Sequence, residues 1–349
     1  MLHRDIVVIG ASAGGIEALQ QLLRPLRPDF PASIFVTVHF PENSRSVLPR
    51  ILTRAGRIPA VAAADGESIV AGRIYVAPPN HHLLLERDCV RLVRGPRENG
   101  NRPAIDPMFR SAAIAFGPRV VGVVLTGLLD DGTAGLAAIK RAGGVAVVQD
   151  PSDAMFPSMP ESAIQYVDVD HVVPMRSMAG ILSTLVDQPL ETMSPVPTRG
   201  DIMENRLSAG DIDAIERADE HPGTPSSFGC PDCGGVLWAI ADGEFVRFRC
   251  RVGHGWTSEA LLEKQASELD DALWTALRTL EESASLSHQI AARHRARGAD
   301  ALASRFEAQA ESSESKGAVI REALIRRRDS HAEESTESVE RSDRHRSTA

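Results

Sequence analysis

The chain has 349 residues, enough for two domains or for one domain with appendages. Hydrophobic residues make up 43% of it but aromatic residues only 4%, so we expect an aliphatic core. The formal net charge of -9 argues against a general nucleic-acid binder and against binding to an anionic membrane surface. No apolar run reaches the roughly 18 residues of a membrane span, and no signal peptide is visible, so we expect a cytoplasmic protein that is not membrane-inserted.

Short apolar runs rich in β-branched residues predict four buried parallel strands, at residues 6–9, 34–38, 120–125 and 145–148. Amphipathic helical patterns follow some of them, as at residues 16–23 and 134–142. Strands that alternate with helices predict an α/β fold with a doubly wound, mostly parallel, Rossmann-like sheet. Two shorter stretches, 73–77 and 82–85, are candidates for a side hairpin.

The composition changes near residue 189, where a segment rich in proline, serine and threonine begins. The sequence predicts five regions: an α/β domain at 1–189, a linker with one candidate short helix at 190–227, a cysteine-bearing module at 228–256, a helical segment at 257–330, and a polar tail at 331–349. The tail is almost free of apolar residues, so we expect it to be disordered.

A glycine-rich segment, Gly10-Ala11-Ser12-Ala13-Gly14-Gly15, lies between the first predicted strand and the first predicted helix. A G-x-S-x-G sequence in this setting is typical of a sharp turn that exposes a nucleophilic serine near the amides of a helix N-terminus. A phosphate-binding loop is the alternative. The segment lacks the G-x-G-x-x-G pattern and the Gly-Lys-Ser/Thr ending of such loops.

Two further polar sites follow predicted strands. His39 follows the second strand, and Asp130 and Asp131 follow the third, at the strand ends where open α/β sheets place their chemistry. The histidine could instead be structural, and the aspartates could cap a helix or bind a metal. The chain order Ser12, His39, Asp131 differs from the serine, acid, histidine order of ordinary α/β-hydrolases, so a lipase or esterase of that fold fits poorly.

Three segments, at residues 10–15, 38–41 and 125–132, resemble the catalytic blocks of bacterial chemotaxis protein-glutamate methylesterases. Further segments at 75–83, 102–109 and 159–164 are also similar, so the resemblance covers roughly residues 5 to 188. In several positions the chain departs from residues that the family often has; these are Ala13, Leu128, Asp130 and Ser158. None of them removes a member of the predicted triad.

The resemblance implies hydrolysis of glutamate γ-methyl esters on chemoreceptors, with deamidation of selected glutamines as a second activity. It implies Ser12 as nucleophile, His39 as base and Asp131, which stands immediately before a glycine, as the orienting acid in place of Asp130. Catalysis would need no cofactor. Typical family members carry an N-terminal receiver domain, whereas the methylesterase segment starts near residue 5 here, so we expect control to come from elsewhere if there is any.

The cysteine-bearing module contains Cys230, Cys233, Cys250 and His254. A C-x-x-C pair followed by a third cysteine and a histidine at these spacings predicts a tetrahedral structural zinc site, closed to substrate. A redox or incidental C-x-x-C is the alternative. The helical segment that follows predicts a hairpin that packs on itself or an arm that docks a signalling partner.

Two other functions stay open at this point. The chain could be a non-catalytic regulatory module that keeps the fold and docks a partner, or a general carboxylesterase for small esters. Labelling of Ser12 with a fluorophosphonate would distinguish the first from an active enzyme, and activity on small esters alone would favour the second.

Overall fold

The computed structural model describes residues 2–42, 46–190, 197–211 and 223–346. The chain divides into two compact units, Met1–Leu261 and Leu262–Ala349. The predicted domain boundaries within the first unit stay a prediction.

The first unit contains thirteen described strands, and helices connect many of them. The strands are β1 (Ile6–Ala11), β2 (Ser33–Val38), β3 (Ala60–Ala62), β4 (Ile74–Val76), β5 (His82–Leu85), β6 (Val90–Val93), β7 (Val120–Val124), β8 (Val145–Gln149), β9 (His171–Val173), β10 (Thr224–Gly229), β11 (Val236–Asp242), β12 (Phe245–Cys250) and β13 (Gly255–Thr257). The described helices of the chain are α1 (Gly15–Leu23), α2 (Leu48–Ala55), α3 (Ile105–Phe116), α4 (Thr133–Arg141), α5 (Ser158–Tyr166), α6 (Met175–Asp187), α7 (Arg199–Ser208), α8 (Ser258–Arg295) and α9 (Asp300–Arg346).

Seven strands form one sheet in the order β3-β4-β2-β1-β7-β8-β9, and each neighbouring pair is parallel. The strands on one side of β1 are β2, β4 and β3, and those on the other side are β7, β8 and β9, so the direction in which the chain adds strands reverses between β1 and β7. Alternate residues of β1 enter two different cores: Val7 and Ile9 face one, Ile6 and Val8 the other. Both faces of the sheet are therefore covered, and the predicted doubly wound α/β fold is confirmed.

The predicted side hairpin is wrong in its pairing. Residues 74–76 form β4 inside the main sheet, parallel to β2 and β3, where Ile74, Tyr75 and Val76 are buried. The strand β5 pairs antiparallel with β6 instead. Pro78 and Pro79 follow β4, and a proline cannot donate a ladder hydrogen bond, so a tight turn back onto β4 is disfavoured.

The second sheet of the first unit contains β10, β11, β12 and β13, all antiparallel to their neighbours. We call residues 224–257 the Cys3His module. The region predicted as a linker, 190–227, contains α7 and the first residues of β10, while residues 191–196 and 212–222 lie outside the described residues.

A buried cluster of ion pairs joins the Cys3His module to α3 and α7. Arg110 on α3 pairs with Glu98 at 2.8 Å and with Glu204 of α7 at 3.0 Å. Glu204 also pairs with Arg247 and Arg249 of β12, and Arg249 pairs with Glu98. Burial disfavours the charged carboxylate of Glu98, yet the neighbouring arginines lower its pKa to about 2. Each buried charge therefore has partners of opposite sign, as burial requires.

In the second unit, α8 and α9 form an antiparallel pair joined by ion pairs along their length. Asp270 meets Arg327, His288 meets Glu314, and Arg295 meets Glu307. α9 is described to Arg346, and residues 347–349 lie outside the described residues. The disorder predicted for residues 331–349 stays a prediction. Among the described residues, no helix has both the length and the apolar character to cross a membrane.

Candidate active site

Ser12 lies in the turn between β1 and α1. Its backbone amide donates to Thr126 O at 3.0 Å, and the amide of Gly15 donates to Ser12 O at 2.9 Å. Gly14, in the left-handed region at φ 73°, lets the chain turn directly into α1. The N-terminus of α1, whose first amides have no partner inside the helix, therefore begins beside the serine.

His39 follows β2, and its ring lies between the serine and an aspartate. Ser12 Oγ is 3.0 Å from His39 Nδ1, and His39 Nε2 is 2.7 Å from Asp131 Oδ2. Asp131 is buried, while Ser12 and His39 are partly exposed. The structure thus brings the three predicted residues into one hydrogen-bonded row. Ser12 and Asp131 follow β1 and β7, the two strands at which the sheet order reverses.

The carboxylate of Asp131 accepts hydrogen bonds from two backbone amides as well as from His39. The backbone amides of Ile105 and Asp106 donate to it at 2.8 and 3.3 Å, because α3 begins there. Burial disfavours the charged form, but the hydrogen bond and charge of His39, followed by the two amides, hold the pKa of Asp131 below its ordinary value. Asp131 is therefore an anion facing the His39 ring.

The charge of Asp131 affects the ionisation of its neighbour Asp106. Burial and then the negative charge of Asp131 raise the pKa of Asp106 well above its ordinary value. The carboxyl of Asp106 accepts from the amide of Gly135 at 2.6 Å. Within the pair the negative charge is therefore favoured on Asp131 over Asp106.

The backbone around Ser12 approaches other atoms too closely for side chains. A Cβ at Gly127 would overlap the sulfur of Met159 and lie 2.9 Å from Ser12 Cβ. Glycine at this position therefore lets the loop after β7 pass directly against the serine.

Asp130, the alternative candidate for the acid role, contacts Thr257. Its Oδ1 accepts from Thr257 Oγ1 of β13 at 2.7 Å. Burial raises the pKa of Asp130 to about 7; the Thr257 hydrogen bond opposes this shift, and the charges of Glu259 and Asp131 add to it. The two adjacent aspartates therefore face different partners.

The sequence carries no signal for Asn99, which also contacts the triad. Its Nδ2 donates to Asp131 Oδ1 at 3.3 Å, while its Oδ1 accepts from the amide of Thr257 at 2.9 Å. No pattern in the sequence relates these positions, because Asn99 and Thr257 are 158 residues apart.

The four predicted metal ligands of the Cys3His module also come together, with their ligand atoms all within 4.8 Å of one another. His254 Nδ1 lies 3.7 Å from Cys230 Sγ and 3.5 Å from Cys250 Sγ, and Cys233 Sγ lies 3.6 Å from Cys250 Sγ. Around a tetrahedral zinc, two sulfurs lie about 3.8 Å apart and a sulfur and a nitrogen about 3.5 Å apart. These separations exceed a disulfide bond of about 2 Å and fit a shared metal ion.

A parallel sheet that carries a hydrogen-bonded serine, histidine and aspartate at its strand ends is typical of hydrolases with an acyl-enzyme. The model of the CheB methylesterase family matches residues 7–182, so the chain belongs to that family and is a hydrolase of the methylesterase class. The matched segment contains Ser12, His39 and Asp131 and ends before α7 and the Cys3His module.

Individual relatives agree with the family. A relative from Leptospira interrogans, provisionally named for protein-glutamate methylesterase and protein-glutamine glutaminase activity, is 39% identical over 191 residues, which are 54% of this chain and 99% of that protein. Protein-glutamate methylesterase/protein-glutamine glutaminase 4 of Anaeromyxobacter dehalogenans is 41% identical over 180 residues, half of each chain. The chain thus spans about half the length of the second relative.

The crystal structure of the Thermotoga maritima CheB methylesterase catalytic domain is similar to the first part of the fold. Its TM-score is 0.51 at 32% sequence identity, and the match covers 53% of this chain and all of that domain. The resemblance predicted from the sequence is therefore confirmed in family and in fold.

Proposed function

We propose that this chain hydrolyses glutamate γ-methyl esters on chemoreceptor-type proteins, with Ser12 as nucleophile, His39 as general base and Asp131 as orienting acid. The observation that carries the proposal is the row Ser12 Oγ, His39 Nδ1, His39 Nε2, Asp131 Oδ2, with contacts of 3.0 and 2.7 Å. Membership of the methylesterase family supports the ester as substrate.

In the proposed mechanism each group has one step. Ser12 Oγ attacks the ester carbonyl while His39 Nδ1 accepts its proton, and the imidazolium that forms is stabilised by the anionic Asp131 at Nε2. Amides at the start of α1 stabilise the oxyanion. His39 then protonates the departing methoxide, which leaves as methanol. Water, deprotonated by the same nitrogen, attacks the acyl-enzyme, and the proton returns to Ser12 Oγ as the glutamate is released. With a glutamine substrate the leaving group is ammonia, which gives the deamidase activity.

A protein substrate is favoured by the surface beside the serine. Met155 lies against Gly14 and is 56% exposed, and Leu128, next to Gly127, is 52% exposed. Large apolar side chains that are exposed near a site are typical of an interaction surface. A helix of a receptor that presents its glutamate ester to Ser12 would cover both.

The test is methanol release from a methylated receptor cytoplasmic fragment by the full chain, with Ser12→Ala as the comparison. Release by the wild type that is lost in Ser12→Ala supports the proposal. Absence of release together with fluorophosphonate labelling of Ser12 would contradict the ester substrate, and hydrolysis of p-nitrophenyl acetate alone would then indicate a general carboxylesterase. Absence of labelling as well would indicate a non-catalytic regulatory module.

We also propose that Cys230, Cys233, Cys250 and His254 bind a structural zinc ion. Four protein ligands fill a tetrahedral zinc, so the ion would stabilise the Cys3His module and take no part in acyl transfer. Metal analysis of purified protein should find about one equivalent of zinc, lost with the folded module on chelation. Less than about half an equivalent, with no change on chelation, would reject the site.

A further inference from the structure

The loop from Leu125 to Asp131, here called the acid loop, lies against the Cys3His module. Leu129 adopts φ 61°, a left-handed conformation that a branched residue seldom takes and that persists only where the surroundings impose it. Its side chain packs against the module's core, which includes Leu237, Phe248 and Trp256. The module therefore contacts the acid loop where its backbone is strained.

Asp130, the residue after Leu129, is hydrogen-bonded to the module. Thr257 Oγ1 donates to Asp130 Oδ1 at 2.7 Å and accepts from the amide of Ala260 at 3.1 Å. The second bond caps the start of α8, which fixes the rotamer of Thr257. Because the Thr257 hydroxyl has a fixed position, the Asp130 carboxyl that accepts its hydrogen bond is held in one orientation.

A second connection reaches the acid itself through Asn99. The amide of Asn99 donates to Gly255 O at 2.8 Å, and the amide of Gly255 donates to Arg97 O at 3.1 Å, so β13 runs beside residues 97–99. The side chain of Asn99 then bridges the amide of Thr257 and the carboxylate of Asp131. Asn99 has φ 52°, which asparagine tolerates better than most residues.

The strand β13 follows directly from the last predicted metal ligand. His254 immediately precedes Gly255, and its carbonyl accepts from the amide of Cys250 at 3.1 Å. A continuous path of contacts thus runs from Cys250 and His254 through β13 to Asn99 and Asp131.

We propose that the Cys3His module is a positioning element for the acid of the triad, with Thr257 and Asn99 as positioning residues, so that metal occupancy and turnover at Ser12 are coupled. This inference rests on the triad proposed above. It gives the module a part in catalysis without contact to substrate. A module that only stabilises the fold would leave turnover unchanged once the protein is folded.

The first test compares Thr257→Val, which removes the hydroxyl at nearly constant shape, with Thr257→Ser, which keeps it. Both are made in the full chain loaded with zinc. Thr257→Val removes the hydrogen bond between the module and Asp130 of the acid loop, so we expect kcat to fall about 10- to 100-fold with KM little changed. The rate of Ser12 labelling by a fluorophosphonate should fall in parallel. Thr257→Ser should restore most of both rates.

A Thr257→Val variant that melts below the wild type, yet labels and turns over at the wild-type rate when folded, would overturn the inference. So would equal losses in both variants, since the hydroxyl would then be irrelevant. The labelling rate depends on Ser12 and not on the receptor. A wild type that labels but releases no methanol therefore contradicts only the proposed substrate, and the Thr257 comparison still decides the coupling.

The second test removes a metal ligand. Cys233→Ser is compared with the wild type and with Cys89→Ser, a cysteine outside the Cys3His module. We expect the Ser12 labelling rate to rise with bound zinc during a titration of the apo protein, and to stay low in Cys233→Ser. Wild-type labelling by a zinc-free protein would overturn the coupling. If Cys233→Ser does not fold, the Thr257 pair decides.

Discussion

The two sides of the site are positioned in different ways. On the serine side, Ser12 and His39 follow adjacent parallel strands, β1 and β2, so the sheet register places them together. On the acid side, Asp131 stands at the end of a loop with a strained leucine and is held by Asn99 and by the start of α3. The sheet places the nucleophile and the base side by side directly after their strands, whereas the acid follows a longer loop after β7 and depends also on contacts from distant parts of the chain.

This comparison is tested most strongly at the two aspartates. Asp131→Asn removes the anion that fixes and stabilises the His39 ring, and we expect kcat to fall by about 10,000-fold, as in other triads. Asp130→Asn keeps an oxygen that accepts from Thr257, so its kcat should stay near that of the wild type. Steady-state kinetics on methylated receptor measure both. The reverse ranking would move the acid role to Asp130.

A smaller effect is expected on the serine side from Gly127→Ala. The added methyl group would overlap Met159 and press on Ser12, at a cost of about 1–3 kcal/mol for overpacking, and kcat should fall with it. Gly180→Ala on α6 is the matched control, because nothing lies within 4 Å of its Cβ and alanine favours a helix. Thermal melts and kinetics of the pair check this, and equal behaviour would show that the contact of Gly127 with Ser12 is not tight.

The same comparison explains what the sequence could and could not predict. The strands β1, β2, β7 and β8 were predicted to within about two residues because buried parallel strands are continuous apolar runs. The strand β4 was placed in a hairpin, since three apolar residues do not reveal their partner. Ser12, His39 and the pair Asp130 and Asp131 stand out in the sequence because each follows a predicted strand. The choice of Asp131 over Asp130 rests on the family resemblance, and the roles stay a prediction. Asn99, Asp106 and Thr257 lie in contacts between distant segments, which periodicity and motifs do not report.

The smallest predicted effect concerns the link between Asp130 and the Cys3His module. Burial raises the pKa of Asp130 to about 7 in the folded protein, against an ordinary value near 4, so the folded state holds this proton more tightly than the unfolded state. The contribution of Asp130 to stability is then fully present below about pH 4, the unfolded value, and is lost as the pH rises through about 7. Between pH 6 and pH 7 a single group with this pKa lowers the free energy of unfolding by about 1 kcal/mol.

Asp130→Asn removes this proton but keeps the bond from Thr257, and Asp106 titrates in both proteins, so the difference between the two isolates one carboxyl. Urea unfolding of the zinc-loaded wild type should therefore weaken by about 1 kcal/mol more than that of Asp130→Asn between pH 6 and pH 7. Parallel curves would mean that Asp130 is already ionised at pH 6. Asp130 and Asp131 would then both be charged without a free-energy penalty. Two neighbouring carboxylates can do this only if water surrounds the acid loop. In that case the contact with β13 is open to solvent, and the acid side is held less tightly than its hydrogen bonds indicate.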